Sequence, residues 1–289
     1  MENKESPQNW LLPRTDVVFK ILFGKHPNVL SQFLQCVLDL KPEEYKNFKL
    51  LDTNQRVNLE SKLTILNLRI ETVSGNIIDV EMHPLPMRSL IKRIMYYMSQ
   101  TIVEQLQPSK PYLERNRVIT VFIIDRNIIP EDNISHHRFR LVDRKTGMEL
   151  SNLMEVNILE LEKARQKKTI DSPLDVWLKF LAASTKEEFM EYAAQNAGVK
   201  EACAILENLS ANDQVRREAE ARIKAWRDEQ DRLEGAREEG LKEGKEEGLK
   251  EGKENERKNI ARKMLSLSMP LDSIVTVTGL SHDQISLLL

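Results

Sequence analysis

The chain has 289 residues, room for about two domains of ~150 residues each. Hydrophobic residues make up 40% and charged residues 30% of it, with 10 glycines and 11 prolines, a composition that excludes a disordered or fibrous protein. The formal net charge of −2 excludes a uniformly basic nucleic-acid-binding surface, although it allows a local basic cleft. The two cysteines, Cys36 and Cys203, are too few for a disulfide framework or a tetrahedral cysteine site.

The first residues of the chain and the lengths of its apolar runs indicate where in the cell the protein is located. The first ten residues, MENKESPQNW, lack the basic and then apolar order of a secretion signal. No window approaches the ~20 apolar residues that a membrane span requires. We therefore expect a soluble, cytoplasmic protein with no membrane partner.

The first part of the chain has the pattern of two helices. Thr15 and Asp16 follow Pro13 and can cap the first helix, and Pro42 ends the second. Both segments carry apolar residues at the spacing of one buried helix face. These residues are Phe19, Leu22 and Phe23 in the first helix and Leu30, Phe33, Leu34, Val37 and Leu38 in the second.

Residues 62–83 have the pattern of a β-hairpin. Apolar and polar side chains alternate over residues 66–71, which predicts a strand with one buried face. Ser74 and Gly75 predict a tight turn. Ile77–His83 then runs back as the second strand of the hairpin.

One face of this predicted hairpin concentrates polar side chains. Strand alternation places Asp79, Glu81 and His83 together, with Asn67 on the partner strand. Carboxylates that converge in this way can hold Mg²⁺, which activates water and screens the charge of a scissile phosphate. The same spacing is common on a strand face that is simply solvated, so the pattern alone leaves both interpretations open.

A long helix and three further strands complete the predicted core. The helix carries an apolar stripe of Ile91, Ile94, Met95, Met98 and Ile102. Val118–Ile124 is a nearly continuous apolar run, typical of a strand covered on both faces. Residues 137–141 and 153–159, on either side of a turn at 145–147, predict another pair of strands. This order of elements predicts a mixed α/β fold over about residues 10–165.

The chain is expected to contain four parts. The α/β core covers residues 1–165, and a helical subdomain covers 166–226. A charged segment follows over 227–258, either as a helix or as a linker. A small helical module over 259–289 ends the chain.

The charged segment 227–258 repeats a glycine at every fourth position. Of its 32 residues 21 are charged, and glutamate alternates with lysine at i, i+4, which favours a helix. Each of Gly240, Gly244, Gly248 and Gly252 opposes that helix by about 1 kcal/mol relative to alanine. The glycine row predicts either a seam through which two copies associate or a solvated, partly frayed linker.

The C-terminal module has the pattern of a helix-turn-helix. Ser281 and Gln284 predict a capping box at the start of its last helix. A helix that reads DNA needs cations for the phosphates, but no lysine or arginine follows Ser281. We therefore expect a packing or oligomerisation module rather than a DNA reader.

Several segments of the chain match the motifs of a known family. Residues 15–24 read TDVVFKILFG, and residues 62–83 read KLTILNLRIETVSGNIIDVEMH, followed by Arg88 and a Tyr-Tyr pair at 96–97. The charged glycine repeat and the ARKML that follows it extend the match. In these motifs the chain resembles the PD-(D/E)XK nuclease family transposases, also called Rpn-type or YhgA-like recombination-promoting nucleases. Residues 16–97 are the most specific part of the resemblance.

The resemblance implies a restriction-endonuclease-like fold, a mixed sheet flanked by helices and followed by an all-helical C-terminal extension. It also implies Mg²⁺-dependent cleavage of DNA, linked to recombination, mobile DNA or phage defence. By motif position, Glu81 matches the metal-binding acid, Asp16 the acid of the first helix and Gly75 the hairpin glycine. Two positions depart from the family pattern. Asn67 stands where the family has an acid, and His83 stands where it has glutamine or lysine.

These departures change the chemistry that we expect. Asn67 offers a neutral carbonyl in place of an anion, so a divalent ion loses a full charge of attraction. The imidazole of His83 suits Mn²⁺ or Zn²⁺ better than Mg²⁺ and supplies no charge when neutral. Asp79 either supplies the missing carboxylate or points to solvent. Arg88, Lys92 and Arg93 either contact phosphates or belong to a solvated helix face.

Two main functions stay open at this point. The first is a metal-dependent DNA endonuclease with a partly degenerate site, using Mg²⁺ or Mn²⁺. Its catalytic residues would be Asp16, Asn67, Glu81 and His83, and its metal ligands Asn67, Asp79 and Glu81. The second is an inactive family member that binds DNA or forms assemblies, as a homo-oligomer through the C-terminal helical region. A purely structural role, with the charged helix as a dimer seam, is the third interpretation.

Overall fold

A computed structural model of the chain describes residues 10–51, 67–83, 90–105 and 116–288. The chain divides into two compact units, Met1–Ile223 and Lys224–Leu289. The first unit is built around a β-sheet, and the second is helical. The predicted fold class, a mixed sheet flanked by helices and followed by a helical extension, is confirmed.

The sheet of the first unit has six strands within the described residues. They are β1 (Lys49–Leu51), β2 (Asn67–Glu71), β3 (Ile77–His83), β4 (Val118–Ile124), β5 (His136–Val142) and β6 (Glu149–Glu160). Their order across the sheet is β1-β2-β3-β4-β6-β5. β3, β4 and β6 are parallel neighbours, whereas β1, β2 and β5 each pair antiparallel with the strand beside them. The predicted hairpin, buried strand and later strand pair are therefore all present.

Helices precede, interrupt and follow the strands. Those of the first unit are α1 (Asp16–Gly24), α2 (Pro27–Val37), α3 (Pro42–Lys46), α4 (Leu90–Glu104), α5 (Leu161–Gln166), α6 (Pro173–Ala182), α7 (Lys186–Ala193) and α8 (Ala197–Ala211). A long helix, α9 (Asp213–Ser266), starts in the first unit and continues into the second. The two helices predicted near the start of the chain correspond to α1 and α2.

The main core lies on one face of the sheet. There, Ile78, Val80 and Met82 of β3 belong to the same buried cluster as side chains of α1, α2, α6 and α8. Aromatic rings fill its centre, among them Phe19, Phe23, Phe33, Trp177 and Phe180. Because side chains alternate along a strand, the residues between Ile78, Val80 and Met82 point to the opposite face, beneath α4.

The face beneath α4 is only partly apolar. Leu90 and Ile94 of α4 form a small cluster there with Phe122 and Ile124 of β4. The apolar stripe predicted for this helix is therefore too wide. Ile94 and Met98 are buried, whereas Ile91 and Met95 are 55% and 43% exposed. Ile91 and Met95 are exposed because the strand β3 presents polar side chains to the helix, so only a narrow apolar strip of the sheet is available for packing.

The turn between β2 and β3 depends on Gly75. Its φ of +84° lies in the left-handed region that side chains rarely adopt. A Cβ at this position would also lie 2.4 Å from Nδ2 of Asn116, too close for contact. The amide of Gly75 donates to the carbonyl of Thr72 and closes the turn. The predicted tight turn is confirmed, with two separate physical reasons for glycine.

The pairing between β5 and β6 is irregular toward the tip of their hairpin. His136 through Arg140 pair in regular register, ending with Arg140 opposite Glu155. The next pair is Leu141 with Ser151, so residues 152–154 of β6 have no counterpart on β5, and a second shift before the pair of Val142 with Glu149 leaves out Leu150. β6 therefore begins at Glu149, earlier than the strand predicted over 153–159, because a bulged strand breaks the alternation that marks a strand in the sequence.

The second unit contains the rest of α9, α10 (Leu271–Thr278) and α11 (His282–Ser286). A small core joins these helices and consists of Ala261, Met264, Ile274, Leu280 and Ile285. The predicted capping box at Ser281 and Gln284 is present. The charged segment 227–258 lies within α9, while the four domain limits stay a prediction. Among the described helices, none is long and apolar enough to cross a membrane.

Candidate functional site

The polar face of the β2–β3 hairpin lies beneath α4 and carries three of the predicted site residues. Asp79, Glu81 and His83 alternate along β3 on this face, as the sequence pattern predicted. Asp79 and Glu81 are only 8% and 5% exposed, so this is not a solvated strand face. The charges of two nearly buried carboxylates need partners close by.

Asp79 is bound by Arg69, the residue directly opposite it on β2. Nε of Arg69 lies 2.6 Å from Oδ1 and Nη2 lies 2.9 Å from Oδ2, so the guanidinium holds both carboxylate oxygens. Burial lowers the pKa of Arg69, but the bonds to Asp79 outweigh it and the pKa is raised above its ordinary value. The alternative that Asp79 merely points to solvent is wrong, because both of its oxygens are engaged within the fold.

Arg69 also contacts two side chains of α4. Its Nη2 donates to Oγ1 of Thr101 over 2.7 Å, and its Nη1 lies 3.2 Å from Oε2 of Glu104. Oγ1 of Thr101 is in turn 3.2 Å from Oδ2 of Asp79. Strand β2, strand β3 and helix α4 are thus tied together around one guanidinium.

Glu81 lies between an imidazole and a second guanidinium. Its Oε1 is 3.6 Å from Nε2 of His83 and 3.5 Å from Nη2 of Arg93 on α4. The ring of His83 stacks on Phe122, with 5.5 Å between centroids. The guanidinium of Arg93 lies over the ring of Tyr97 at 5.3 Å. An acid, an imidazole and a cation are therefore grouped at the end of β3.

Asn67 occupies the backbone position opposite Glu81, since the two residues are register partners in the antiparallel pair. Directly opposed residues have Cβ atoms ~5 Å apart. By this register, an acid at position 67 would stand opposite Glu81 in the strand pair. The amide at this position removes that second acid.

Asp16 lies at the start of α1 and has other partners. Its Oδ1 accepts a hydrogen bond from the amide of Val17 over 2.8 Å, and its Oδ2 lies 3.5 Å from Nε of Arg222. Within the described residues, its carboxylate has no contact with Asp79, Glu81 or His83. Its predicted role as the helix acid of the site therefore stays a prediction.

The described donors do not fit a divalent cation in the arrangement that they adopt. Mg²⁺ and Mn²⁺ need several oxygen ligands with available lone pairs. Each of the two carboxylates of β3 instead faces an arginine, Asp79 with Arg69 and Glu81 with Arg93. Across the described residues, no three histidine, cysteine or acidic side chains are grouped as a metal site. A divalent ion would have to displace a guanidinium in order to bind.

Sequence reasoning missed the central position of Arg69. The pairing of Arg69 with Asp79 could have been predicted from the sequence. Counting outward from the turn at Gly75 pairs residue 71 with 77 and residue 69 with 79. The contribution of Thr101 and Glu104 had no such signal. These residues reach the site only because α4 packs across the hairpin, a contact that no local pattern encodes.

Comparison with known proteins agrees with the fold and the hairpin. A model of the PD-(D/E)XK nuclease family transposases matches residues 13–236, a span that contains the whole sheet and α1 to α8. No curated protein and no solved structure matches the chain. Since the match covers well over half of the 289 residues, the chain belongs to the PD-(D/E)XK nuclease family transposases.

Proposed function

We propose that this protein binds DNA as a non-cleaving member of its family. The observation that carries this proposal is that both carboxylates of β3 are paired with arginines, Asp79 with Arg69 and Glu81 with Arg93. Cleavage by a bound metal needs free carboxylate oxygens, and here arginines contact both oxygens of Asp79 and Oε1 of Glu81. The amide at Asn67, opposite Glu81, removes the acid that would restore a ligand pair.

The same pairing favours contact with a DNA backbone. Two unpaired carboxylates would repel a phosphate more strongly than Asp79 and Glu81 do, since each of these faces an arginine. Lys92, beside Arg93 on α4, is exposed and adds a cation to the surface of this helix. Binding through phosphates should weaken as salt is raised, with a slope of about −0.9 per contact in a double-logarithmic plot.

We also assign the protein to the processing of recombining or mobile DNA, or to phage defence, in the cytoplasm, since its family carries the name of transposases. A non-cleaving member would contribute there as an assembly partner. We propose that it forms a homo-oligomer through α9. The glycines of its repeat support this, because an added Cβ at Gly240, Gly244, Gly248 or Gly252 meets no atom within 4 Å. No contact within the described chain explains why glycines, which destabilise a helix, recur at these four positions of α9.

A metal-dependent endonuclease is the second candidate function. It is favoured by Glu81, a buried acid grouped with the imidazole of His83 and the guanidinium of Arg93. In that case Arg93 would have to release Glu81 when Mg²⁺ or Mn²⁺ binds. The expected result is weak DNA cleavage with a preference for Mn²⁺, abolished by Glu81→Ala.

Nicking of supercoiled plasmid, together with gel-shift binding in EDTA, separates the two functions. We expect the wild-type chain to shift DNA in EDTA and to leave the plasmid intact with Mg²⁺ or Mn²⁺ at low salt. Nicking by Asn67→Asp, with none by wild type, would identify the missing carboxylate as the defect. Asn152→Asp, the same change at an exposed position of β6, is the matched control. Wild-type nicking that Glu81→Ala removes would establish the endonuclease and overturn the non-cleaving proposal.

A further inference from the structure

Arg69 is surrounded by oxygen atoms from three neighbouring side chains. Its guanidinium contacts both carboxylate oxygens of Asp79, the hydroxyl of Thr101 and a carboxylate oxygen of Glu104. These four distances lie between 2.6 and 3.2 Å. All of these contacts of the guanidinium are with oxygen atoms, and the two carboxylates among them carry two formal negative charges around one positive charge.

Carboxylate and hydroxyl oxygens are also the ligands that hard divalent cations prefer. Arg69 therefore has the same kind of surroundings that a Mn²⁺ or Mg²⁺ ion would need, supplied from β3 and from α4. The difference lies in geometry, since a planar guanidinium reaches its acceptors through N–H bonds and an ion would draw the oxygens closer.

We propose that Arg69 is the resident cation of this site, and that its removal leaves Asp79, Thr101 and Glu104 as a binding site for a divalent cation. This inference deepens the proposed function, because it names the group that balances the charge on the carboxylate of Asp79 in a chain that does not use a metal.

The guanidinium is a permanent occupant for two reasons. The side chains of Arg69 and Asp79 are only 14% and 11% exposed, and the register of β2 with β3 holds them opposite each other. An arginine cannot lose its charge at any ordinary pH. A free ion in the wild-type chain would have to break four contacts of a covalently tethered cation, so we expect no response to Mn²⁺ at this site.

The competing interpretation is an ordinary ion pair, whose loss would destabilise the fold and do nothing else. The two interpretations differ in what happens after the arginine is removed. A simple ion pair leaves two stranded acids, which raise the free energy of the folded state. A cation site leaves acids that an added ion can stabilise, because a ligand that binds only the folded chain raises its stability.

The test is thermal unfolding of the full chain in EDTA and in Mn²⁺, for wild type, Arg69→Leu and Arg69→Lys. We expect Arg69→Leu to have a lower Tm than wild type in EDTA. Its Tm should rise by roughly 3–6 °C at Mn²⁺ about tenfold above the dissociation constant. Wild type and Arg69→Lys, which keep a cation, should not respond. Titration calorimetry should then find one more bound Mn²⁺ per chain in Arg69→Leu than in wild type.

Two further variants serve as controls. One removes an arginine from another position, and the other also removes the main carboxylate that would bind the ion. Arg140 binds the buried carboxylate of Glu155 over 2.7 Å, so Arg140→Leu removes an arginine–carboxylate contact elsewhere on the sheet, where Glu155 keeps Arg117 as a second partner. We expect it to lose stability without any recovery in Mn²⁺. The double variant Arg69→Leu with Asp79→Asn should lose the response to Mn²⁺, because the main carboxylate is gone.

An Arg69→Leu chain whose Tm is the same in EDTA and in Mn²⁺ would overturn this inference. If Arg69→Leu does not fold in either solution, the Tm of Arg69→Gln in EDTA and in Mn²⁺ is compared instead. This variant keeps an N–H donor for Asp79. This outcome is separate from the failure of the proposed function. Plasmid nicking by wild type would contradict the non-cleaving role, whatever Mn²⁺ does to the stability of Arg69→Leu.

Discussion

Arg93 on α4 reaches the carboxylate of Glu81 on β3, with 3.5 Å between Nη2 and Oε1. The helix that covers the polar face of the hairpin thus supplies a cation to the acid that matches the family's metal ligand. The same guanidinium lies over the ring of Tyr97, which fixes its direction. Under the proposed function, we expect Arg93 to contact a phosphate that approaches this face.

Arg93→Ala should weaken DNA binding and reduce its dependence on salt. Loss of one phosphate contact lowers the salt slope by about 0.9, because one fewer counterion is released. Gel-shift titration of wild type and variant at several salt concentrations measures this slope. Arg144→Ala, at an exposed position in the turn between β5 and β6, is the matched control. Equal losses in the two variants would contradict a specific role for Arg93.

Gly75→Ala should destabilise the fold by about 2–3 kcal/mol, through backbone strain and contact with Asn116. Gly147→Ala is the matched control, because Gly147 has a φ of +70° but a Cβ there meets no atom within 4 Å. The control should lose only the strain contribution, ~1 kcal/mol. Urea unfolding of both variants gives the two values. A Gly147 variant as unstable as the Gly75 variant would mean that Asn116 contributes nothing.

Replacing the four repeat glycines of α9 by alanine should increase the helix content of the chain. Each substitution favours the helix by about 1 kcal/mol. If the glycine row is the seam between two copies, the same substitutions should shift sedimentation toward the monomer, since added methyl groups keep the helices apart. Gly235→Ala, on α9 but outside the row, is the control for helicity alone. An unchanged oligomeric state in the fourfold variant removes the seam.

Glu155 should contribute stability near neutral pH that is lost in acid. Burial raises the pKa of this carboxyl, but hydrogen bonds from Asn157 and Arg140 bring the pKa below its ordinary value. A lowered folded pKa means that the contribution is complete above the unfolded pKa of ~4.3 and falls away as pH drops through the folded value.

Glu155→Gln should therefore cost about 3 kcal/mol at pH 7 and progressively less below pH ~4. Urea unfolding at pH 7 and in acid measures the difference from wild type. Glu149→Gln, at an exposed position of the same strand, should cost little at either pH. A Glu155→Gln deficit that stays constant with pH would show that the carboxylate charge is not what stabilises the sheet.

Local patterns were sufficient to predict most of the fold. Alternation predicted β2 and β3, the apolar run predicted β4, and Gly75 predicted the turn between the two hairpin strands. Each of these features depends on residues that are neighbours in the chain. The same is true of the capping box at Ser281, whose two partners lie three residues apart.

The candidate site was less predictable, because its partners come from distant parts of the chain. The carboxylate of Asp16 lies 3.5 Å from Nε of Arg222, more than 200 residues away in the chain, a contact that no local pattern encodes. Arg93 and Thr101 reach the site only through the packing of α4. Carboxylates can be located by their spacing on a strand, whereas the cations that neutralise them are selected by tertiary packing.

β5 is the last of the described strands in the sheet, so no described strand pairs with its outer row of N–H and C=O groups. Two features of β5 and β6 oppose the pairing of a strand from another chain with this edge. Arginines at positions 138 and 140 place charge on the strand, and the three-residue slip opposite β6 bends the pairing beyond Arg140. Both are devices by which sheets resist edge-to-edge aggregation. We therefore expect the sheet to withstand high concentration and refolding without forming fibrils from this edge.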